Sequence, residues 1–391
     1  MKVLWLASWY PNEMDPFSGD FIKRQAEAVS IYQPIKLIYV GKYSPKYLAE
    51  KTGTSNIENK TENLKEYILY YPVSGNGNNI FSKIQSLFNY FKKHNEVIQQ
   101  LRKNNELPEI VHVQVAMKAG LIALYLKWKY KIPYVLTEHW SGYYPQSKDS
   151  LFRKSFTERY FTKLILKNAA RLLPVSEALG NQINKYWVKL PFQKIPNVVN
   201  TRLFYPAENK IPHTFRFIHI SSLLYPKNPE GIINTFIHML RLRFDAELVL
   251  VGPMNPSINS LLTDEVMLTE KIRATGEISY EQVGMELRNA DALVMFSMYE
   301  NMPCVVLEAL CTGIPVIASE VGGIREVIHP ENGILVEAGK EVRLFEAMKE
   351  MIINYDSYKN DIISRRATEQ FSYENIGQKI IQIYDSVLKN K

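Results

Sequence analysis

Two cysteines in 391 residues are too few for a disulfide framework. They are Cys304 and Cys311, and on a helix that spacing sets them two turns apart, beyond the reach of a disulfide. Neither belongs to a Cys-x-x-Cys or Cys/His cluster, so no zinc site is expected and both read as small buried residues. Long apolar runs are also missing. The longest are strand-length, far short of the roughly 20 residues that a membrane span needs. The opening MKVLWLASWYP has one lysine and no small-residue cleavage site, so it is expected to be a first β-strand and the protein to be cytoplasmic. No G-x-G-x-x-G follows that strand, where residues 8–19 are long and irregular, which argues against an NAD-dependent oxidoreductase. No D-x-D or other ligand cluster is seen, so neither a metal nor a cofactor is expected. Low-complexity tracts and internal repeats are absent as well.

Hydrophobic residues make up 46% and charged residues 22%, which suits packed cores and not a disordered chain. The length makes two domains the expectation. The charge is uneven. Residues 1–205 hold 29 Lys+Arg against 15 Asp+Glu, or +14; residues 206–391 hold 18 against 25, or −7. A basic first half suits an anionic partner such as a membrane surface, and solvated surface charge without a partner gives the same count. Nucleic acid is not expected, because no recognition motif accompanies the charge.

Short β-branched runs alternate with helical stretches throughout. Strands are expected at 2–7, 35–40, 67–71, 110–113, 134–137 and 171–175, then at 215–221, 247–252, 272–276, 292–297, 315–318 and 334–336. Several are apolar without alternation, as in parallel strands covered on both faces. Such repetition gives doubly wound α/β domains. The proline-bearing stretch 194–212 reads as a connector, which divides the chain into Rossmann-like domains at 1–205 and 206–372. A last helix, 373–391, is expected to pack back on the first domain. The polar segments 51–64 and 74–79 read as loops.

Residues 297–323, SMYENMPCVVLEALCTGIPVIASEVGG, place two glutamates around an otherwise apolar run. The pattern predicts a strand, the turn MYENMP, a helix over 304–311 stopped by Thr312-Gly313, and a second strand. Pro303 fits the first helical turn, where its missing N–H costs nothing. Backbone N–H groups around Asn301, Met302, Pro303 and Cys304 then favour an anion at the helix start. Glu300 lies at that mouth and Glu308 about 12 Å further along. Hydrogen-bond acceptors on both sides of an anion site suit a nucleotide sugar.

E-x7-E followed by A-L-x-x-G-x-P-V-I-A-S and G-G resembles the donor-site motif of the family 4 retaining glycosyltransferases. The resemblance implies the GT-B fold, two Rossmann-like domains facing across a central cleft, and no cofactor. It assigns Glu300 to the donor sugar and Glu308 to the ribose hydroxyls. Other stretches match in order. Residues 8–28 resemble the family's first strand-loop-helix, with Gly19 at the place of the glycine that approaches the donor phosphates. Thr137-Glu138-His139-Trp140 resembles the segment whose histidine, His139 here, lies near the transferred sugar. Val175-Ser176-Glu177 and Ile195 through Asn200, with Phe204 and Pro206, match the approach to the linker. ISSLLYPKN, residues 220–228, resembles G-R-L-x-x-x-K-G. Lys227 takes the phosphate-binding lysine position, Ser222 stands where arginine is usual, and Asn228 where glycine is usual. A hydroxyl, Arg325 or the helix start would then compensate for the missing positive contact. Thr275-Gly276-Glu277-Ile278 resembles the turn whose backbone reads the base, at Gly276 and Ile278.

The reaction so implied moves a hexosyl group from a UDP- or GDP-sugar to an acceptor hydroxyl with retention and without a metal. Lys227 and the helix start stabilise the leaving phosphate, Glu300 and His139 orient the sugar, and closure of the domains excludes water. Residues 151–167, 121–130 and 88–93 mix basic and aromatic residues. They suit a peripheral helix on the inner membrane face, and equally a buried helix with a snorkelling edge. On the first reading the acceptor is a lipid-linked saccharide of surface polysaccharide or glycan assembly; otherwise it is a free saccharide. A non-catalytic GT-B binding or chaperone subunit, a GT-B nucleotide-sugar epimerase and an inverting transferase are the alternatives.

Overall fold

The computed structural model describes residues 1–43, 55–61, 63–72, 80–208, 213–263 and 270–389. The segments 51–54 and 74–79 and the connector residues 209–212 lie outside the described residues. The chain forms two compact units. One comprises Met1–Val175, Gly180–Ile195 and Ile376–Lys391; the other comprises Ser176–Leu179 and Pro196–Asn375.

The first unit is built on strands β1 (Val3–Ala7), β2 (Ile35–Tyr43), β3 (Ser55–Thr61), β4 (Leu64–Pro72), β5 (Ile110–Gln114), β6 (Tyr134–Glu138) and β7 (Arg171–Pro174). Their order in the sheet is β3-β4-β2-β1-β5-β6-β7. Every residue of β1, β5 and β6 is buried, as in strands covered on both faces; β1 is apolar throughout, while β5 and β6 also bury His112, Gln114, Thr137 and Glu138. All pairings are parallel except β3 with β4. Residues 55–61 were expected within a loop and instead form this antiparallel edge strand, paired from Ser55↔Leu69 to Thr61↔Leu64 with a register shift between Asn59 and Thr61. The segment is polar because an edge strand needs only backbone pairing on one side, so no apolar alternation announces it.

The second unit carries β8 (Phe215–Ile220), β9 (Ala246–Val251), β10 (Ile272–Gly276), β11 (Ala292–Met295), β12 (Val316–Ser319) and β13 (Gly333–Val336). They form a wholly parallel sheet in the order β10-β9-β8-β11-β12-β13. Phe217, Leu248, Val294 and Ile317 from its strands pack with Phe236 and Met348 from flanking helices, all of them buried. Each such side chain contributes about 1.5–3 kcal/mol of burial. Among the described residues, no helix is long and apolar enough to cross a membrane.

Candidate active site

In the second sheet the chain moves outward from β8 to β9 and β10, then returns to the other side of β8 for β11, β12 and β13. That places a topological switch point between β8 and β11, where open α/β sheets bind ligands beyond the carboxyl ends of their strands. The loops leaving those two strands hold Lys227 and Glu300. They are stitched together by Met298 N–H donating to Pro226 O at 2.8 Å, and the Lys227 ammonium is ion-paired with Glu300 Oε1. The two side chains are 22% and 11% exposed, so the pair is only partly screened by water.

The β8 loop owes its path to local chemistry. His219 Nδ1 lies 2.8 Å from Val294 O, which can only accept, so Nε2 is the acceptor and takes the Ser221 hydroxyl proton at 2.8 Å. Ser221 Oγ in turn accepts from Leu223 N–H at 3.0 Å. Burial pushes the His219 imidazole down to about 4, so it is neutral, as this arrangement requires. Asn228 has φ +52°, the left-handed region that asparagine tolerates better than other side chains, which accounts for asparagine where the family uses glycine. Its side chain accepts from Gly231 N–H at 3.3 Å and caps the helix Pro229–Arg241, with proline at the first helical position.

The β11 loop is held from two sides. Gly322 has φ +53°, and a Cβ there would fall 1.9 Å from Glu300 O; Gly323 N–H donates to Asn301 O at 2.7 Å. The double glycine therefore lets the loop after β12 lie directly on the Glu300 backbone. On the other side the buried Asn197 donates through Nδ2 to Met302 O at 2.8 Å. The helix Cys304–Thr312 follows and Gly313 ends it at φ +84°. Pro303 was expected inside its first turn; it is instead the N-cap, with extended backbone, where its missing N–H is equally harmless. Cys304 is half-buried and Cys311 buried, and burial raises the Cys311 thiol to about 12, leaving it inert.

Glu308 is 4% exposed on a helix otherwise given to apolar packing. Tyr280 Oη donates to its Oε1 at 2.9 Å. Tyr280 opens the helix Tyr280–Arg288, two residues after Ile278, so the turn that follows β10 is joined directly to Glu308. Gly276 in that turn has φ +74°, and no atom lies within 4 Å of where its Cβ would be. Ser222 is exposed. Arg325, a candidate to replace an arginine there, is exposed and pairs with Glu320 at 3.6 Å. Among the described residues no group of three or more His, Cys, Asp or Glu could hold a metal ion.

In the first unit Gly19 has φ +65°, and a Cβ would come within 2.6 Å of the Trp9 carbonyl carbon, so the loop closes on its own start only with glycine. His139 follows β6. Its Nε2 lies 2.9 Å from Gln114 Oε1 and its ring 4.6 Å from that of Phe21. The neighbouring Glu138 is fully buried and accepts from Ala116, His139 and Trp140 N–H and from Tyr143 Oη, at 2.9–3.1 Å. Burial nevertheless raises its carboxyl pKa above the usual range.

Two family models together match residues 63–369: Glycosyltransferase Family 4 over residues 63–203 and Glycosyl transferases group 1 over residues 202–369. The chain belongs to the family 4 glycosyltransferases. It is 25% identical to the putative teichuronic acid biosynthesis glycosyltransferase TuaC of Bacillus subtilis, over 89% of this chain and 88% of that one. In fold it resembles sucrose-phosphate synthase from Thermosynechococcus elongatus, with a TM-score of 0.78 at 19% identity over the whole of both chains. Anabaena HepE in complex with UDP matches with a TM-score of 0.70 at 16% identity, over 99% of this chain and 100% of that one. The fold is therefore that of the GT-B glycosyltransferases.

Two residues of this glycosyltransferase site were not anticipated, Tyr280 and His219, and Asn197 was read only as part of the approach to the linker. Tyr280 carries no pattern beyond an aromatic early in a helix. His219 offered a signal, since a histidine inside an apolar parallel strand must find buried partners.

Proposed function

We propose that this family 4 glycosyltransferase transfers a hexosyl group from a nucleoside diphosphate sugar to an acceptor hydroxyl, with retention at the anomeric carbon and without a metal ion. The observation that carries the reading is the Lys227–Glu300 pair at the switch point of the second sheet. A cation beside a carboxylate suits a diphosphate joined to a hydroxyl-rich sugar. HepE, which shares the fold, was solved with UDP, and this supports a nucleotide donor.

Lys227 neutralises charge developing on the leaving diphosphate, and the start of the helix Cys304–Thr312 adds its dipole. Glu300 accepts from sugar hydroxyls and Glu308, oriented by Tyr280, from the ribose. The bond from the anomeric carbon to the phosphate oxygen breaks, and the acceptor oxygen bonds that carbon on the same face. The acceptor proton passes to the departing phosphate oxygen. Gly19 near the phosphates and His139 near the sugar are assigned by resemblance, as are Gly276 and Ile278 at the base.

The acceptor belongs to surface polysaccharide or glycan assembly on this reading, supported by the likeness to TuaC. A lipid-linked form at the inner membrane face is favoured by exposed aromatics of the first unit. Phe81 is 72%, Phe88 67%, Phe156 74% and Tyr160 53% exposed, on the basic half of the chain. Incubation with a panel of UDP- and GDP-sugars, followed by NMR of the anomeric configuration, tests the reaction. An α-linked product from an α-linked donor is expected. An inverted product, or sugar conversion without acceptor, would replace the reading by an inverting transferase or an epimerase.

A further inference from the structure

Behind His139 the first unit carries a buried thread of hydrogen-bonded side chains. Trp5 Nε1 on β1 donates to Tyr384 Oη at 3.1 Å, on the last helix, Tyr373–Lys389. Tyr384 Oη is 2.6 Å from His112 Nδ1 on β5, and His112 Nε2 is 2.6 Å from Thr137 Oγ1 on β6. All four side chains are fully buried. An indole N–H can only donate, so Tyr384 Oη accepts from Trp5, and the two His112 nitrogens are held between Tyr384 Oη and Thr137 Oγ1. Burial pushes the His112 imidazole down to about 3, so it stays neutral.

Side chains alternate along a strand, so Gln114 faces the same way as His112. Gln114 is fully buried, and its amide spans two partners: Nε2 donates to Gln25 Oε1 at 2.8 Å, and Oε1 is 2.9 Å from His139 Nε2. Its Nε2 also lies 3.4 Å from His112 Nε2, so the amide is bounded on that side by the thread. A carbonyl oxygen can only accept, and this dictates which ring nitrogen of His139 holds the proton.

We propose that Gln114 is a positioning residue for His139: its carbonyl takes the Nε2 proton, fixing the ring plane and leaving Nδ1 as the basic nitrogen of the neutral ring. Gln25 holds the amide in that sense, and the Trp5–Tyr384–His112–Thr137 thread fixes the strand ends from which both side chains project. The inference rests on the reading that His139 serves the transferred sugar. Its structural part, the tautomer, is measurable without any substrate.

The test uses the full chain with 15N-labelled histidine and long-range 1H–15N spectra, His139 being assigned by its loss in His139→Asn. The wild-type ring is expected as the Nε2–H tautomer, and Gln114→Met, similar in size but unable to accept, is expected to lose that preference. In the same variant kcat should fall at least about tenfold with the donor KM within about threefold, as for a misoriented group. A wild-type ring protonated at Nδ1, or a Gln114→Met variant with unchanged tautomer and unchanged kcat, overturns the proposal. A changed tautomer with unchanged kcat would uphold the positioning and reject the role of His139. If Gln114→Met does not fold, Gln25→Met releases the amide and should move the tautomer in the same direction.

Discussion

The ammonium of Lys227 is paired with the carboxylate of Glu300, 73 residues further along the chain, across the carboxyl ends of β8 and β11. A diphosphate reaching this point must compete with Glu300 for Lys227. Glu300→Gln should therefore raise the affinity for a nucleoside diphosphate lacking its sugar about two- to fivefold, the worth of a partly exposed pair. Sugar transfer by the same variant should fall sharply. Titration calorimetry beside an activity assay checks both, and weaker diphosphate binding would contradict the competition.

Gly322 and Gly276 both have positive φ, yet only Gly322 is crowded, its Cβ position lying 1.9 Å from Glu300 O. Gly276→Ala should cost about 1 kcal/mol through backbone conformation alone. Gly322→Ala must displace the Glu300 loop and should cost more than about 3 kcal/mol. Urea unfolding of the two variants measures the difference; equal losses would show that the close approach carries no energy.

Glu308 with Tyr280 is the proposed ribose contact. Glu308→Ala should weaken nucleotide binding about ten- to a hundredfold, as expected for lost hydrogen bonds to a charged acceptor. Tyr280→Phe should show a smaller loss in the same direction. Unchanged nucleotide affinity in both variants would remove this contact.

Stability should depend on pH through three buried histidines. Burial depresses His94 and His219 to about 4 and His112 to about 3, from an ordinary 6.5. The unfolded chain therefore binds protons that the folded chain refuses between about pH 6.5 and 4. The stabilisation is fully present above pH 6.5 and is lost as pH falls through that window, at about 1.4 kcal/mol per unit of depression. Thermal unfolding from pH 7.5 to 4.5 should show a steady fall in Tm, which His219→Gln should blunt.

Much of this was legible in the sequence, and what was not has physical causes. Among the described residues twelve of the thirteen strands announce themselves by short β-branched or apolar runs, several of them apolar because parallel strands are covered on both faces. The strand at 55–61 does not, because at an edge only its backbone is needed. Lys227 and Glu300 were legible as members of spaced motifs, but their mutual contact was not, since it depends on strand order and not on spacing. Gly322 and Gly323 were visible as a double glycine, while their reason, the Glu300 and Asn301 carbonyls beneath them, belongs to the folded chain. Asn228 looked like a departure from the family and proves to be a second residue suited to the same left-handed conformation.

The proposed membrane contact predicts that the protein binds vesicles of anionic lipid and leaves them as salt rises from about 0.05 to 0.5 M, following the Debye length. Phe156→Ser with Tyr160→Ser should weaken binding without changing thermal stability, since both side chains are exposed. Absence of binding at low salt would remove the lipid surface and leave a free saccharide as acceptor.

Titration calorimetry of UDP, UMP, GDP and GMP against the wild type and Lys227→Ala examines whether the second unit holds a nucleoside diphosphate through Lys227. For the base that binds, the diphosphate should exceed the monophosphate at least about tenfold in affinity, the worth of one charge-assisted contact. Lys227→Ala should abolish that preference while monophosphate affinity stays within about threefold. A diphosphate preference that survives Lys227→Ala, or no binding of any nucleotide to the wild type, would contradict the account.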